Sequence, residues 1–465
     1  MKLRPLLTGM VALATVSAAL VAAPAGSADS RAGGPLISPA LIAEMQRTQR
    51  VRSIVELHPG QDGEAVARDI MAASAAARIV ETAKSPNFFV AELDDACLDA
   101  LRDDLRVKSV YQDELSSAFM DDNSKLLDVS TKVIGSDRAN AAGWTGKGAT
   151  VAILDTGIDE DHPFFAGRIT DEACFSSANP SVEAVSLCPN GQPSQTGLGA
   201  ANAETPLCIA NGVNQCRHGS HVAGIAAGAM VRGAPSNGVA PAAAILPIQV
   251  FTRINSATAC GAAGAPATPC FLSYTSDQKL ALEYVAKAAK ARHIAAVNMS
   301  LGGGRMWTEP CDNDPRAGAH KAQFDALRAL GVAPVIAAGN SGNDGVASPA
   351  CVSSAIAVGA TDDSDQIASF SNRGAMLDVF APGVKINSSV PGGTFAELSG
   401  TSMAAPHVTG GFAVMKQAFP GLSVAQVMAK LQNTGMDISY SSEFTEVSTE
   451  RINLARAILP ARSAL

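Results

Sequence analysis

Four residues far apart in the chain carry side chains that could act together on an amide bond: Asp155, His218, Asn340 and Ser402. A serine hydroxyl is too weak an acid to attack an amide unaided. It needs an imidazole that takes its proton and later hands it to the leaving amine. The imidazole in turn needs a carboxylate to fix its tautomer and stabilise the imidazolium. The developing oxyanion needs donors already in place, which the Asn340 amide and the backbone N–H of Ser402 could supply.

Each of these residues sits where a local pattern changes. Ser402 lies in Gly400-Thr401-Ser402-Met403-Ala404-Ala405-Pro406-His407, just before a run of Ala, Gly, Val and Met that reads as a buried helix. Pro406 is expected in the first turn of that helix, where its missing N–H leaves nothing unpaired. The serine then stands at a helix N-terminus, where free N–H groups and the dipole favour negative charge. Asp155 ends the apolar run Ala149–Leu154, Asn340 follows Val335-Ile336-Ala337-Ala338-Gly339, and His218 opens a helix of small residues.

Similar apolar runs recur at Ala244–Val250, Ala295–Met299, Val332–Ala337 and Ser354–Val358, as expected of strands buried on both faces of a parallel sheet. Helical stretches cover Asp277–Arg292, opened by Thr275 with Gln278 three residues on, then Ala319–Leu330 and Ser423–Asn433. Ser423 and Gln426 make a capping-box pattern. This alternation predicts an α/β fold with a doubly wound, mostly parallel sheet, whose ligands bind beyond the C-terminal ends of the strands.

Upstream, residues 52–111 read as a small β-α-β-α-β unit. Its strands are expected near Ser53–Leu57, Phe88–Leu93 and Lys108–Gln112, with helices over Asp62–Ala73 and Asp94–Leu105. Ser116–Asn123 loses periodicity and reads as a linker. Lys2 and Arg4 precede an apolar run from about Leu6 to Ala23, with small residues at its exit, which fits a secretory signal peptide. A membrane anchor is the alternative reading, but the run is short and contains Thr8 and Gly9. Export permits disulfides. Neighbour pairing of Cys174–Cys188, Cys208–Cys216, Cys260–Cys270 and Cys311–Cys351 is the expectation among the many connectivities that eight cysteines allow, with Cys97 left over. Most of these cysteines lie in two inserts, Thr170–Arg217 and Thr252–Ser273, read as surface loops. A net charge of −8 without a basic cluster speaks against nucleic acid as a partner.

Asp155-Thr156-Gly157, His218-Gly219-Ser220-His221-Val222-Ala223-Gly224, Ala338-Gly339-Asn340 and Gly400-Thr401-Ser402-Met403-Ala404-Ala405-Pro406 resemble, in this order, the signature segments of the subtilisin family of serine proteases. The likeness spans roughly residues 124–458 and includes Gly238-Val239-Ala240-Pro241. The resemblance implies that Ser402 is the nucleophile, His218 the general base, Asp155 the orienting acid and Asn340 the oxyanion donor. It also implies that Ser300, Leu301, Gly302 and Gly303, with Ala338 and Gly339, bind an extended substrate. These segments carry no charge, which favours an uncharged side chain at the first position. The N-terminal unit resembles the family's inhibitory propeptide, cut off on maturation between Ser116 and Asn123.

The resulting division is a signal peptide over 1–28, a propeptide over 29–119 with its folded part at about 51–115, and a peptidase domain over 120–465. The expected protein is a secreted, monomeric endopeptidase acting on proteins or peptides, inhibited by its own propeptide and active at neutral to alkaline pH, with no membrane anchor. Two other readings are a catalytically silent protein-binding module of the same fold and a relative using a Ser-Glu-Asp set. All triad members are present, and so are both His218 and Asn340, which argues against each. No cofactor is expected for catalysis. A structural calcium ion is left unassigned: Phe164 stands near the place of the family's calcium-ligating Asp, and Asp159, Glu160 and Asp161 could bind calcium elsewhere but read better as a solvated acidic turn. His218 and His221 could face one metal, but no acidic third ligand is evident. His221 and His407 read as packed histidines and His162 as a turn residue.

Overall fold

Apolar side chains on successive residues of a strand point to opposite faces, so a run such as Val151-Ala152-Ile153-Leu154 needs a core on each side. The computed structural model, which describes residues 34–119, 129–265, 267–442 and 445–460, provides both. Val151 and Ile153 pack with Val222, Met403 and Val408 on one face, while Ala152 and Leu154 pack with Leu282, Val285 and Phe324 on the other. The strand Thr150–Asp155 lies inside a ten-stranded sheet. Across that sheet the order is Ser194–Thr196, Ala173–Phe175, Ala244–Gln249, Thr150–Asp155, Ile294–Met299, Ala333–Ala337, Ile356–Thr361, Val379–Pro382, Thr445–Arg451 and Met436–Ser442. The pairings from Ala173–Phe175 through Thr445–Arg451 are parallel, and the two edges are antiparallel. This is the doubly wound α/β architecture read from the sequence.

The helix Thr401–Ala418 runs against this sheet and beside the helix Arg217–Ala227. Pro406 is not in its first turn but inside it. A proline there cannot donate to the carbonyl four residues back, which is Ser402 O. The Ser300 hydroxyl donates to that carbonyl at 2.8 Å instead, so the break is filled by a neighbouring strand end.

The N-terminal unit is larger than expected. It adds a strand at Leu36–Ile37, a helix at Pro39–Thr48 and a strand at Arg78–Ile79. Its sheet runs Leu36–Ile37, Val107–Gln112, Val51–Leu57, Phe88–Leu93, Arg78–Ile79. Its third helix ends at Leu101 rather than Leu105, which is 70% exposed. Asp104 accepts the Arg106 N–H and so makes a turn where the helix would have continued. One face of this sheet buries Val55, Ala91 and Val110 under its own helices, and the other turns Ile54, Phe88, Val90 and Tyr111 toward the core around the ten-stranded sheet.

The stretch read as a linker begins as a strand. Leu115–Ala118 lies antiparallel between Cys270–Tyr274 and Leu301–Trp307, pairing Ser116 with Ser273 and Ala118 with Leu301. Its small polar side chains carry no periodic signal because backbone pairing on both edges holds it. The remainder of that stretch, from residue 120, lies outside the described residues, as does the expected signal peptide. Among the described residues no helix is long and apolar enough to cross a membrane.

The Ser423–Gln426 capping box is present. Thr275 is instead the first residue of its helix, Thr275–Ala288, which the N-terminal unit caps: Asp113 accepts the Ser276 N–H at 2.8 Å and Glu114 O the Thr275 N–H at 2.9 Å. The four neighbour disulfides are all formed, and Cys97 is free and buried. The two inserts are more than loops, since they contribute strands Ala173–Phe175, Ala184–Ser186, Ser194–Thr196 and Thr252–Ile254 and the short helix Ala257–Ala262.

Candidate active site

Asp155 ends its strand with its carboxylate fully buried, and His218 is the second residue of its helix. The two meet at 2.7 Å between Asp155 Oδ1 and His218 Nδ1. Asp155 Oδ1 also accepts the Thr156 N–H at 2.7 Å. Thr156 locks the helix start to the strand end, since its hydroxyl donates to Cys216 O at 2.8 Å and accepts the Gly219 N–H at 2.9 Å. A carboxylate at Nδ1 holds the proton there and leaves Nε2 as the free base. That Nε2 is buried and has no hydrogen-bond partner.

Ser402 is the second residue of its helix, and its hydroxyl is engaged by two groups. It donates to Ser300 O at 3.0 Å and accepts the Phe119 N–H at 3.0 Å. Among the described residues no hydrogen bond joins it to His218 in this arrangement. Phe119 N–H is shared with Ser300 O at 3.4 Å, and Phe119 O faces the Ser402 N–H at 3.4 Å. Asn340 is oriented through its other end: its Oδ1 accepts the Thr401 N–H at 2.9 Å and the Thr401 hydroxyl at 2.8 Å. Gly400 has φ 152, and a Cβ on it would lie 2.2 Å from Phe119 O and 3.0 Å from Asn340 Nδ2. The amide and the Phe119 carbonyl therefore flank one small spot that only glycine leaves open.

The segment 115–119 thus lies against Ser402 and the Asn340 amide as an extended peptide would. Ser300 and Leu301 meet it through the backbone, and Gly302 pairs with Ser117. A Cβ on Gly302 would fall 2.8 Å from the Phe119 ring, so this glycine makes the room the ring occupies. Gly303 pairs with Ser348 instead. Ala338 is buried behind the site with its carbonyl taking the Asn372 amide, and the Gly339 N–H is held by the Thr401 hydroxyl. Beside the segment a cavity of about 490 Å³ is bordered by Ala118, Thr156, His218, Phe251 and Phe271.

The match to a family model settles what this scaffold is: residues 146–451 fit the description Subtilase family. The chain belongs to the subtilase family. It is a serine endopeptidase of the subtilisin kind, acting on protein substrates. It is 35% identical over 300 residues to Subtilisin Savinase of Lederbergia lenta, covering 64% of this chain and 88% of that one. Alkaline protease of Shouchella clausii gives 35% over 300 residues, covering 64% of this chain and 62% of the relative. Subtilisin E of Bacillus subtilis (strain 168) gives 30% over 355 residues and 76% of each.

In this subtilase the other histidines are held elsewhere. His221 Nε2 contacts Ala396 O at 2.9 Å, and burial pushes its pKa down to about 3. His407 is bound to Met403 O at 2.8 Å and the Ser130 hydroxyl at 2.9 Å, and burial pushes it down to about 4. Neither shares a ligand position with His218. His162 caps a short turn through the Phe164 N–H. The acidic turn is not solvated throughout: Asp159 is fully buried, and burial pushes it up to about 6. Two positions escaped the sequence reading. Asn372 accepts the Ser341 and Asn343 N–H groups and so holds the Asn340 loop. Phe119 gave no signal beyond being a lone aromatic in polar surroundings.

Proposed function

We propose that this subtilase is a secreted, self-processing zymogen whose first substrate is its own Phe119–Met120 bond. Ser402 Oγ attacks the Phe119 carbonyl carbon, and His218 Nε2 takes the hydroxyl proton as Asp155 stabilises the imidazolium. The serine must first turn from Ser300 O toward Nε2. The Ser402 N–H and the Asn340 amide receive the oxyanion. His218 returns the proton to the Met120 amine, and water then releases the acyl group by the same route. Residues 1–28 act as a signal peptide, 29–119 as propeptide and 120–465 as a monomeric peptidase that needs no cofactor for the chemistry. Four disulfides suit an oxidising, extracellular setting. The space at Gly302 favours a large apolar side chain before the cut bond.

The observation that carries this reading is the seating of Phe119, its N–H on Ser300 O and Ser402 Oγ and its carbonyl toward the Ser402 N–H. The wild-type chain should yield an active enzyme whose N-terminus is Met120 by mass analysis. Ser402→Ala should remain uncut and lose about 10⁶ in kcat, the magnitude known from subtilisin itself. Active enzyme still carrying residues before 119 would refute the zymogen reading. Labelling by a fluorophosphonate that survives Ser402→Ala would sink the nucleophile.

A further inference from the structure

We propose that the turn following Asp155 is a calcium site formed by Asp159, Asp161 and Glu204. One carboxylate oxygen from each lies within 4.8 Å of the other two. Asp159 is fully buried and its carboxylate is only half used: Oδ2 accepts the Gly393 N–H at 3.1 Å, whereas Oδ1 has no hydrogen-bond partner. Glu204 accepts the neighbouring Gly392 N–H at 2.9 Å. A buried, unpaired carboxylate oxygen beside two further carboxylates is costly unless a positive charge joins them. Oxygen-only donors select a hard cation. Asp161 and Glu204 are exposed, so water can complete the six to eight ligands that calcium accepts in loose geometry, whereas magnesium demands a near-ideal octahedron.

The site would join three segments that also position the catalytic pair. The Asp159 N–H donates to the Ser220 hydroxyl at 2.8 Å, two residues beyond His218. Ile158 is bonded to Ala201 and Ala203 of the first disulfide-bearing insert. Gly392 and Gly393 form the turn between strands Ile386–Val390 and Thr394–Leu398, and the first of these strands holds the His218 helix through the Ser388 and Ser389 hydroxyls. A cation here would brace the Asp155 loop, the insert and the hairpin behind His218 without touching substrate.

The test uses the full chain with Ser402→Ala to prevent self-digestion, stripped with EGTA and titrated with CaCl₂ by calorimetry. Binding is expected at about 10⁻⁴–10⁻³ M, the range of extracellular calcium modules. Saturation should raise Tm by at least about 3 °C, with a smaller response to MgCl₂. Asp161→Asn and Glu204→Gln, both at exposed positions, should each lose one calcium equivalent and its share of the Tm rise. In EGTA they should melt at or above the parent, because a like charge has been removed. Unchanged calcium stoichiometry in both variants would overturn the site. A parent indifferent to calcium but stabilised by mild acid would also overturn it, since a shared proton would then be the occupant.

Discussion

The N-terminal unit touches the peptidase in two places of opposite character. Residues 115–119 lie in the cleft through backbone pairing, with Ser116 opposite Ser273, Ser117 opposite Gly302 and Ala118 opposite Leu301. The sheet face of the unit, by contrast, meets the helix Thr275–Ala288 through a knot of charges. Lys279 is fully buried there and donates to Glu56, to the Tyr111 hydroxyl at 2.8 Å and to Ala319 O at 2.9 Å. Arg52 pairs with Asp113 at 2.7 Å, and Asp113 caps the helix. Any extended peptide with suitable side chains could satisfy the first contact, whereas only this unit satisfies the second. On the zymogen reading proposed above, the strand would set which bond meets Ser402, and the charged knot would set how long the unit stays.

If that division holds, each contact can be weakened without the other. The largest effect is expected from Asn340→Ala, which removes the amide proposed as oxyanion donor beside the Phe119 carbonyl. Loss of one such donor costs about 10²–10³ in kcat, a figure known from subtilisin. Self-cleavage and hydrolysis of a short peptide should slow together, while binding of the cleaved unit stays as it was. Weakened binding of the cleaved unit alongside the slower cleavage would show that Asn340 also shapes the docked complex. Glu56→Gln attacks the other contact. It leaves Lys279 buried without its carboxylate, a change that costs about 3 kcal/mol, or roughly a hundredfold in affinity. The cleaved unit should then separate at correspondingly lower dilution, seen as earlier onset of activity, with kcat on a short peptide unchanged. A slower enzyme with undiminished inhibition would contradict the division.

The two contacts also differ in how far the sequence revealed them. The peptidase sheet was legible because strands buried on both faces must be continuously apolar, as Val151–Leu154 is. Asp155, His218, Asn340 and Ser402 stood out because each ends a strand or opens a helix within a distinctive motif. The strand Leu115–Ala118 was hidden, since pairing through the backbone demands nothing of its side chains. Pro406 was misplaced because its missing hydrogen bond is replaced by Ser300, a partner 106 positions upstream in sequence that no local pattern names. The charged knot was equally invisible. Lys279 reads as one exposed position on an amphipathic helix until the face of another unit covers it.

The smallest expected effect, and the one that most sharpens the contrast, is on pH. Burial works to raise the Glu56 carboxyl, but the Lys279 ammonium, with Lys108 and the Tyr111 hydroxyl, outweighs it and holds the group down to about 2. A free glutamate titrates near about 4.3. Docking thus favours the ionised form, so the stabilisation is complete above the free value and is lost as pH falls from there toward 2. The backbone contact at 115–119 contains no group that titrates in this range. An uncut Ser402→Ala chain would hold the unit at high effective concentration, so the separated pair is the proper object: cleaved unit and inactivated peptidase, mixed and measured between pH 6 and 3. Affinity should be flat at the upper end and fall progressively below about pH 4.5, and Glu56→Gln should remove most of that slope. A slope surviving Glu56→Gln would place the acid sensitivity outside the Glu56–Lys279 pair.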